Sequence, residues 1–293
     1  MVKFLQTLFV LFFVFFQNSL AYSKPLPSSK TLISTLKKQQ YVTVPIDIKR
    51  EEFEGVVEAF YAFLELPENL RKTILYKIDK NHRRGDMGYI RKNRKKGDGD
   101  SKIFFHYHPV LDAEYRELME EYPCIKDFFK KARAIWQKSH DRLKDILKSL
   151  EGDFPGVTAS VFDVAPDQHV HITLRLLRYD VPRSEGKLAR SHFDVGCCTL
   201  ALAESGPGLR IGSKEETLSP IKHKDETAVF FFSKNIDSML GKGSGLLPGW
   251  HDVIQMEKRL SGIPQQRWSI VVFVDALGST GGTIKEMHTN PVH

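Results

Sequence analysis

Three cysteines in 293 residues are too few for a disulfide framework. Cys197 and Cys198 are adjacent, so on a strand they point to opposite faces and do not converge on one metal. They read as small buried residues. The chain has no phosphate-cradling glycine loop and no Gly-x-Ser-x-Gly elbow. Nucleotide hydrolysis and serine-hydrolase chemistry therefore have no support. No internal repeat is present, which excludes a repeat architecture. Charge of one sign is not dominant: 43 Lys and Arg against 36 Asp and Glu give +7. Much of the excess lies in residues 77–102, KIDKNHRRGDMGYIRKNRKKGDGDSK. That stretch reads as a solvated loop, or as a contact for phosphates or an acidic lipid face. It carries no nucleic-acid reading motif, so nucleic acid is not an expected partner.

What is present begins with MVKFLQTLFVLFFVFFQNSLAYSKPLPSS. Lys3 precedes an almost wholly apolar run over residues 4–16, and Ser19-Leu20-Ala21 supplies small residues where a signal peptidase reads. This is a secretory signal pattern over residues 1–21, with cleavage after Ala21 and a secreted or periplasmic product. The run is short for a membrane span, which needs about 20 residues. Lys24, Lys30, Lys37 and Lys38 follow it, so an uncleaved anchor with a cytoplasmic domain is the alternative. After cleavage no transmembrane span is expected, and the chain is expected to be a monomer.

The mature chain divides by character. Residues 28–152 read as a mainly helical region, with a short strand at residues 41–46. Phe53, Val56, Val57, Phe60, Phe63 and Leu64 recur at helical spacing, and Pro67 suits the first turn of a second helix, PENLRKTILYKI. Gly85, Gly88, Gly97 and Gly99 then signal loop. From Asp112 to residue 150 the pattern is helical again, with Phe128, Phe129, Ala132, Ile135, Trp136, Leu143, Ile146 and Leu147 on one stripe. Residues 153–293 change composition: HITLRLLRY, CCTLALA, GLRI, TAVFFF and RWSIVVFVD are β-rich runs between turn clusters. Without long helices between them, a parallel doubly wound sheet is disfavoured and a sandwich or barrel is expected. The expected class is α+β.

His192 and Asp194 stand two apart at the head of an apolar run. On a strand such residues share a face, so an imidazole and a carboxylate converge. Among later histidines, His251 in GLLPGWHDV has a more fixed setting than His223, His288 or His293. Two histidines and one carboxylate with open positions form the triad of non-haem Fe(II) oxygenases. A structural zinc site would need a fourth protein ligand, and none has a clear claim. Arg267 and Ser269 are likewise two apart. An arginine facing a β core fits a carboxylate in two-pronged fashion, with the serine hydroxyl donating beside it. That geometry matches the far carboxylate of 2-oxoglutarate. Taken alone, such an arginine is more simply explained by an internal salt bridge or an exposed edge. His169 and His171, and His106 and His108, are further same-face pairs, more simply read as packing or surface.

Together these segments resemble the iron- and 2-oxoglutarate-dependent dioxygenases, in the branch similar to isopenicillin N synthase and the plant flavonoid and hormone oxygenases. The resemblance runs from Val42 to Asp275 through FYAFLELPENLRKTI, MGYI, LRLLRYD, HFDVGCCTLALAESGPGLRI, GLLPGWHDV and RWSIVVFVD. It implies a double-stranded β-helix (jelly-roll) core behind the helical N-terminal region. It implies His192, Asp194 and His251 as iron ligands, Arg267 and Ser269 as the cosubstrate clamp, and Tyr179 as a helper. Fe(II), 2-oxoglutarate and O₂ become the expected cofactors, and a small molecule is the expected substrate, hydroxylated or desaturated. The family often has Arg-Val after its distal histidine, where this chain has Asp252-Val253. QMEKRLSGIPQQ lengthens the gap to Arg267, and Arg259 within it lacks a serine two residues on. An iron oxidase without 2-oxoglutarate and a non-catalytic jelly-roll binding module are the competing readings.

Overall fold

The computed structural model describes residues 24–77, 86–92, 102–165, 169–179, 187–254 and 267–277. The expected signal segment, most of the basic stretch and the residues 255–266 insertion lie outside them. Among the described residues, no helix is long and apolar enough to cross a membrane.

Two antiparallel sheets carry the chain. The larger has the order β1-β10-β7-β12-β5-β4-β3-β2, and the smaller β6-β11-β8-β9. Here β1 is Val42–Pro45, β2 Leu75–Lys77, β3 Asp86–Lys92, β4 Lys102–Tyr107, β5 Ile172–Tyr179 and β6 Lys187–His192. The later strands are β7 Cys198–Glu204, β8 Leu209–Gly212, β9 Ser219–Pro220, β10 Thr227–Phe232, β11 Trp250–Ile254 and β12 Trp268–Val274. The helices are α1 Ser29–Gln39, α2 Arg50–Leu64, α3 Glu68–Thr73, α4 Val110–Glu114, α5 Arg116–Glu121, α6 Pro123–Leu150, α7 Ala159–Phe162 and α8 Asp237–Leu240.

The period-two pattern of the central strands decides which sheet face meets what. On β5, Ile172, Leu174 and Leu176 join the cluster formed with the helices. Ile103, Phe105 and Tyr107 of β4, and Ile270, Val272 and Val274 of β12, do the same. The apolar stripes of α2 (Phe53, Val56, Phe60, Phe63) and α6 (Phe128, Phe129, Ala132, Ile135) cover that face. Fully burying each such side chain contributes roughly 1.5–3 kcal/mol. The indole N–H of Trp136 on α6 donates to the Ile172 carbonyl at 2.8 Å, tying helix to sheet.

The opposite face looks toward the smaller sheet. Ala201, Val229 and Phe231 pack with Leu209, Ile211 and Ile221. Phe104, Leu177 and Tyr179 pack with Leu188 and Val253. This inter-sheet layer holds the candidate site.

The front region is less helical than its sequence reads. Its β1 to β4 extend the large sheet, and Leu75–Lys77 is a strand where the Pro67 helix was expected to continue. Gly88 lies inside β3 rather than in a loop. Its φ is +88°, and a Cβ there would stand 1.9 Å from the Ile74 carbonyl oxygen. Glycine thus permits the close β2–β3 approach, and its presence disguised the strand.

Candidate functional site

Strand β6 ends on His192, and β11 presents His251 directly opposite it in the antiparallel register. Opposed residues of neighbouring strands share a face, so the two imidazoles meet, with ring centroids 4.3 Å apart. After His192 the chain leaves the small sheet and crosses to β7 of the large one. Asp194 lies in that crossing. The expected single strand carrying both His192 and Asp194 is therefore not what forms. The strand stops at His192, and the turn aims the carboxylate back.

The turn is held firmly. Phe193 is fully buried against Trp250, with ring centroids 4.7 Å apart. Backbone N–H groups of Lys234 and Asn235 donate to the Asp194 and Gly196 carbonyls at 2.9 and 3.0 Å. Asp194 Oδ1 is 3.7 Å from His192 Nε2, and Asp194 Oδ2 is 3.7 Å from His251 Nε2. One ligand atom from each of the three lies within 4.8 Å of the others. Among the described residues this is the one such group of three.

Each ligand atom is oriented from behind. A carbonyl only accepts, so His192 Nδ1–H donates to the Arg190 carbonyl at 2.7 Å. His251 Nδ1–H donates likewise to the Gly249 carbonyl at 3.1 Å. Both rings therefore turn Nε2 toward the centre. The Thr199 hydroxyl donates to Asp194 Oδ2 at 2.7 Å and lies 2.9 Å from the Ser233 hydroxyl. Burial pushes His251 down to about 4, so its imidazole is neutral, the form that binds a metal. The His192 side chain is 18% exposed, against 7% for His251, so the cluster opens on the His192 side. Two imidazole nitrogens and one carboxylate on one side of a point suit Fe(II), with positions left for other groups.

Arg267 stands at the head of β12, and the Tyr179 N–H donates to its carbonyl at 2.9 Å. Ser269 is opposite Leu177 on one side and Glu204 on the other. Arg267, Ser269 and Tyr179 thus share the inner face of the large sheet. Arg267, however, forms an ion pair with Glu204. It also donates to the Gly206 and Pro207 carbonyls at 2.6 and 2.9 Å. The chain passes closely here: a Cβ on Gly208 would fall 2.7 Å from an Arg267 terminal nitrogen. The internal salt bridge is therefore present, while the buried Arg267 Nε–H keeps no acceptor.

Asp252, where the resemblance led to an arginine being expected, is fully buried and sits opposite Arg210. The guanidinium Nε donates to its carboxylate at 2.8 Å, so the pair is supplied from β8 instead. Cys197 and Cys198 are fully buried, as expected, and the Ala276 N–H donates to Cys197 Sγ at 3.3 Å. His108 uses both ring nitrogens, toward the Val170 carbonyl at 3.0 Å and the Val110 N–H at 3.2 Å. His106 accepts from Arg175 at 2.8 Å. Sequence reasoning missed Thr199 and Ser233 as supports of Asp194, and Glu204 as the partner of Arg267. Thr199 follows Asp194 by five residues, a signal that becomes useful only once the crossing is known. His223, ranked below His251 as a ligand, is partly buried beside Glu204, its Nε2 3.9 Å from Oε1.

No family model matches the sequence, and a search of curated proteins finds no match. Solved structures do match. A putative 2OG-Fe(II) oxygenase family protein from Caulobacter crescentus shares 18% identity at a TM-score of 0.63, over 85% of this chain and 81% of that one. T7H of Neurospora crassa, in complex with alpha-KG and thymine, shares 15% at 0.63, over 89% and 86%. The Arabidopsis thaliana dioxygenase for auxin oxidation 1, a 2-oxoglutarate binary complex, shares 15% at 0.61, over 86% and 90%. The chain has the fold of these oxygenase structures.

Proposed function

We propose that the chain is a non-haem Fe(II)- and 2-oxoglutarate-dependent oxygenase that hydroxylates or desaturates a small molecule. On this reading the two facing sheets are the family's double-stranded β-helix. The observation that carries it is the cross-strand pair His192–His251 with Asp194 turned between them. These three side chains would hold the metal, and Thr199 and the two backbone carbonyls would keep them aimed. Bound Fe(II) supplies oxygen activation coupled to decarboxylation of 2-oxoglutarate. Arg267 Nε and the Ser269 hydroxyl would orient the far carboxylate, with Tyr179 beside them. The apolar inter-sheet layer excludes water from the reacting centre. The pattern over residues 1–21 supports export of the mature chain, which we take to act as a monomer.

A second reading follows from the Arg267–Glu204 ion pair, which neutralises the clamp. An iron oxidase that needs no 2-oxoglutarate fits it, with Arg267 Nε holding a substrate group. Measuring succinate and O₂ uptake with Fe(II) separates the two. The oxygenase reading expects 2-oxoglutarate to be consumed with O₂, and expects Asp194→Ala to abolish this. O₂ uptake independent of added 2-oxoglutarate favours the oxidase. Wild-type turnover in Asp194→Ala would refute the metal assignment.

A further inference from the structure

At the end of β7 away from Thr199, the buried Glu204 meets the partly buried His223 and Arg267, and each of the three has a buried polar atom without a hydrogen-bond partner. These atoms are Glu204 Oε1, His223 Nδ1 and Arg267 Nε. A buried polar atom without a partner is costly, so three around one carboxyl group mark a place that a polar ligand completes. Glu204 is 7% exposed and its other oxygen is committed to Arg267.

We propose, resting on the cosubstrate reading above, that Glu204 is part of the cosubstrate site and that the far carboxylate of 2-oxoglutarate binds there together with one proton, carried by Glu204. The reason is charge. Ionised Glu204 and Arg267 already sum to zero, and a second carboxylate on the same guanidinium would leave a buried net anion. Two carboxylates sharing a site cannot both stay ionised. A protonated Glu204 becomes a hydrogen-bond donor, joining Arg267 Nε and the Ser269 hydroxyl around the incoming oxygens.

Four groups face Glu204. Arg267 comes from the head of β12, His223 from the segment before β10, the Leu209 N–H from β8, and Arg50 from α2. Arg50 directs its own donors elsewhere, to the Glu204 backbone carbonyl at 2.9 Å and to Glu54 at 2.8 Å. Burial raises the Glu204 carboxyl to about 7 despite Arg267, so its proton is available near neutral pH. Burial, with Arg267 and Arg50, lowers His223 to about 4, so it is neutral there and does not supply the proton.

The test uses the full chain loaded with Fe(II) without O₂, titrated with 2-oxoglutarate from pH 6 to 8.5 and read by the visible charge-transfer band. A parallel titration uses 2-oxopentanoate, which chelates the same way but lacks the far carboxylate. Above pH 7 the Kd for 2-oxoglutarate should rise about tenfold per pH unit relative to that of the monoacid. Calorimetry at pH 8 in two buffers of different ionisation enthalpy should report close to one proton taken up per 2-oxoglutarate. Glu204→Gln, whose amide donates at every pH, should remove the dependence while still binding. Equal pH profiles for the two acids would overturn the role of Glu204, as would a variant that binds with the slope intact. Failure of the iron-loaded protein to bind 2-oxoglutarate at any pH would overturn the cosubstrate reading with it.

Discussion

Thr199→Val removes one hydroxyl from behind Asp194 at nearly constant volume. Thr199 is 1% exposed, and its hydroxyl donates to Asp194 Oδ2 at 2.7 Å. The Thr199 hydroxyl oxygen also lies 2.9 Å from the Ser233 hydroxyl, so the change leaves Ser233 short of a partner. A hydrogen bond to an ionised group contributes about 1.5–3 kcal/mol. Part of that is recovered if the carboxylate rotates toward the open His192 side and meets water. Loss of an outer partner of a metal ligand typically costs about 10–100-fold in affinity, or roughly 1.4–2.7 kcal/mol. The two magnitudes agree, so we expect Fe(II) affinity to fall by about 10–100-fold. Anaerobic titration against a competing chromophoric chelator measures it. Urea unfolding of the metal-free variant should show the same slope as wild type, establishing an intact fold. Affinity within about threefold of wild type, on that intact fold, would refute the claim that Thr199 orients Asp194.

Three further outcomes concern stability. Asp252→Ala strands Arg210 and should cost about 3 kcal/mol, at the low end for a broken buried pair because Arg210 is partly exposed. The double change Arg210→Met with Asp252→Leu should restore most of the urea midpoint. Gly88→Ala forces a Cβ onto the Ile74 carbonyl at a positive φ and should cost at least about 2 kcal/mol, read as a lowered Tm. The raised carboxyl of Glu204 means the folded chain holds a proton that the unfolded chain releases between about pH 4.5 and 7. Stability from this group falls as pH rises through that window, by on the order of 3 kcal/mol. His108 and His223, lowered to about 4, act with the opposite sign, and their contribution is lost as pH falls through about 6.5 to 4. The difference between wild type and Glu204→Gln across pH 4.5–7 isolates the first effect, and a flat difference would refute it.

The β-rich runs of the second half follow from the order of residues, because alternating and continuous apolar stretches admit few other conformations. So does the long amphipathic helix, observed as Pro123–Leu150. His192, Asp194 and His251 were legible as candidates because imidazole and carboxylate at the ends of apolar strands have few structural uses. That they meet depends on the fold, since His192 and His251 come together through a register between β6 and β11 that no local pattern encodes. The fold also makes Asp194 turn between sheets instead of continuing a strand. The pairing of Arg267 with Glu204, 63 residues away in sequence, was likewise invisible beforehand. Each residue alone is an ordinary charged strand end. Their pairing, and the proton it implies, arises from adjacent strands burying both in one layer. The front region misled for a related reason: its strands are stabilised by neighbours on the large sheet and by a glycine that reads locally as a turn.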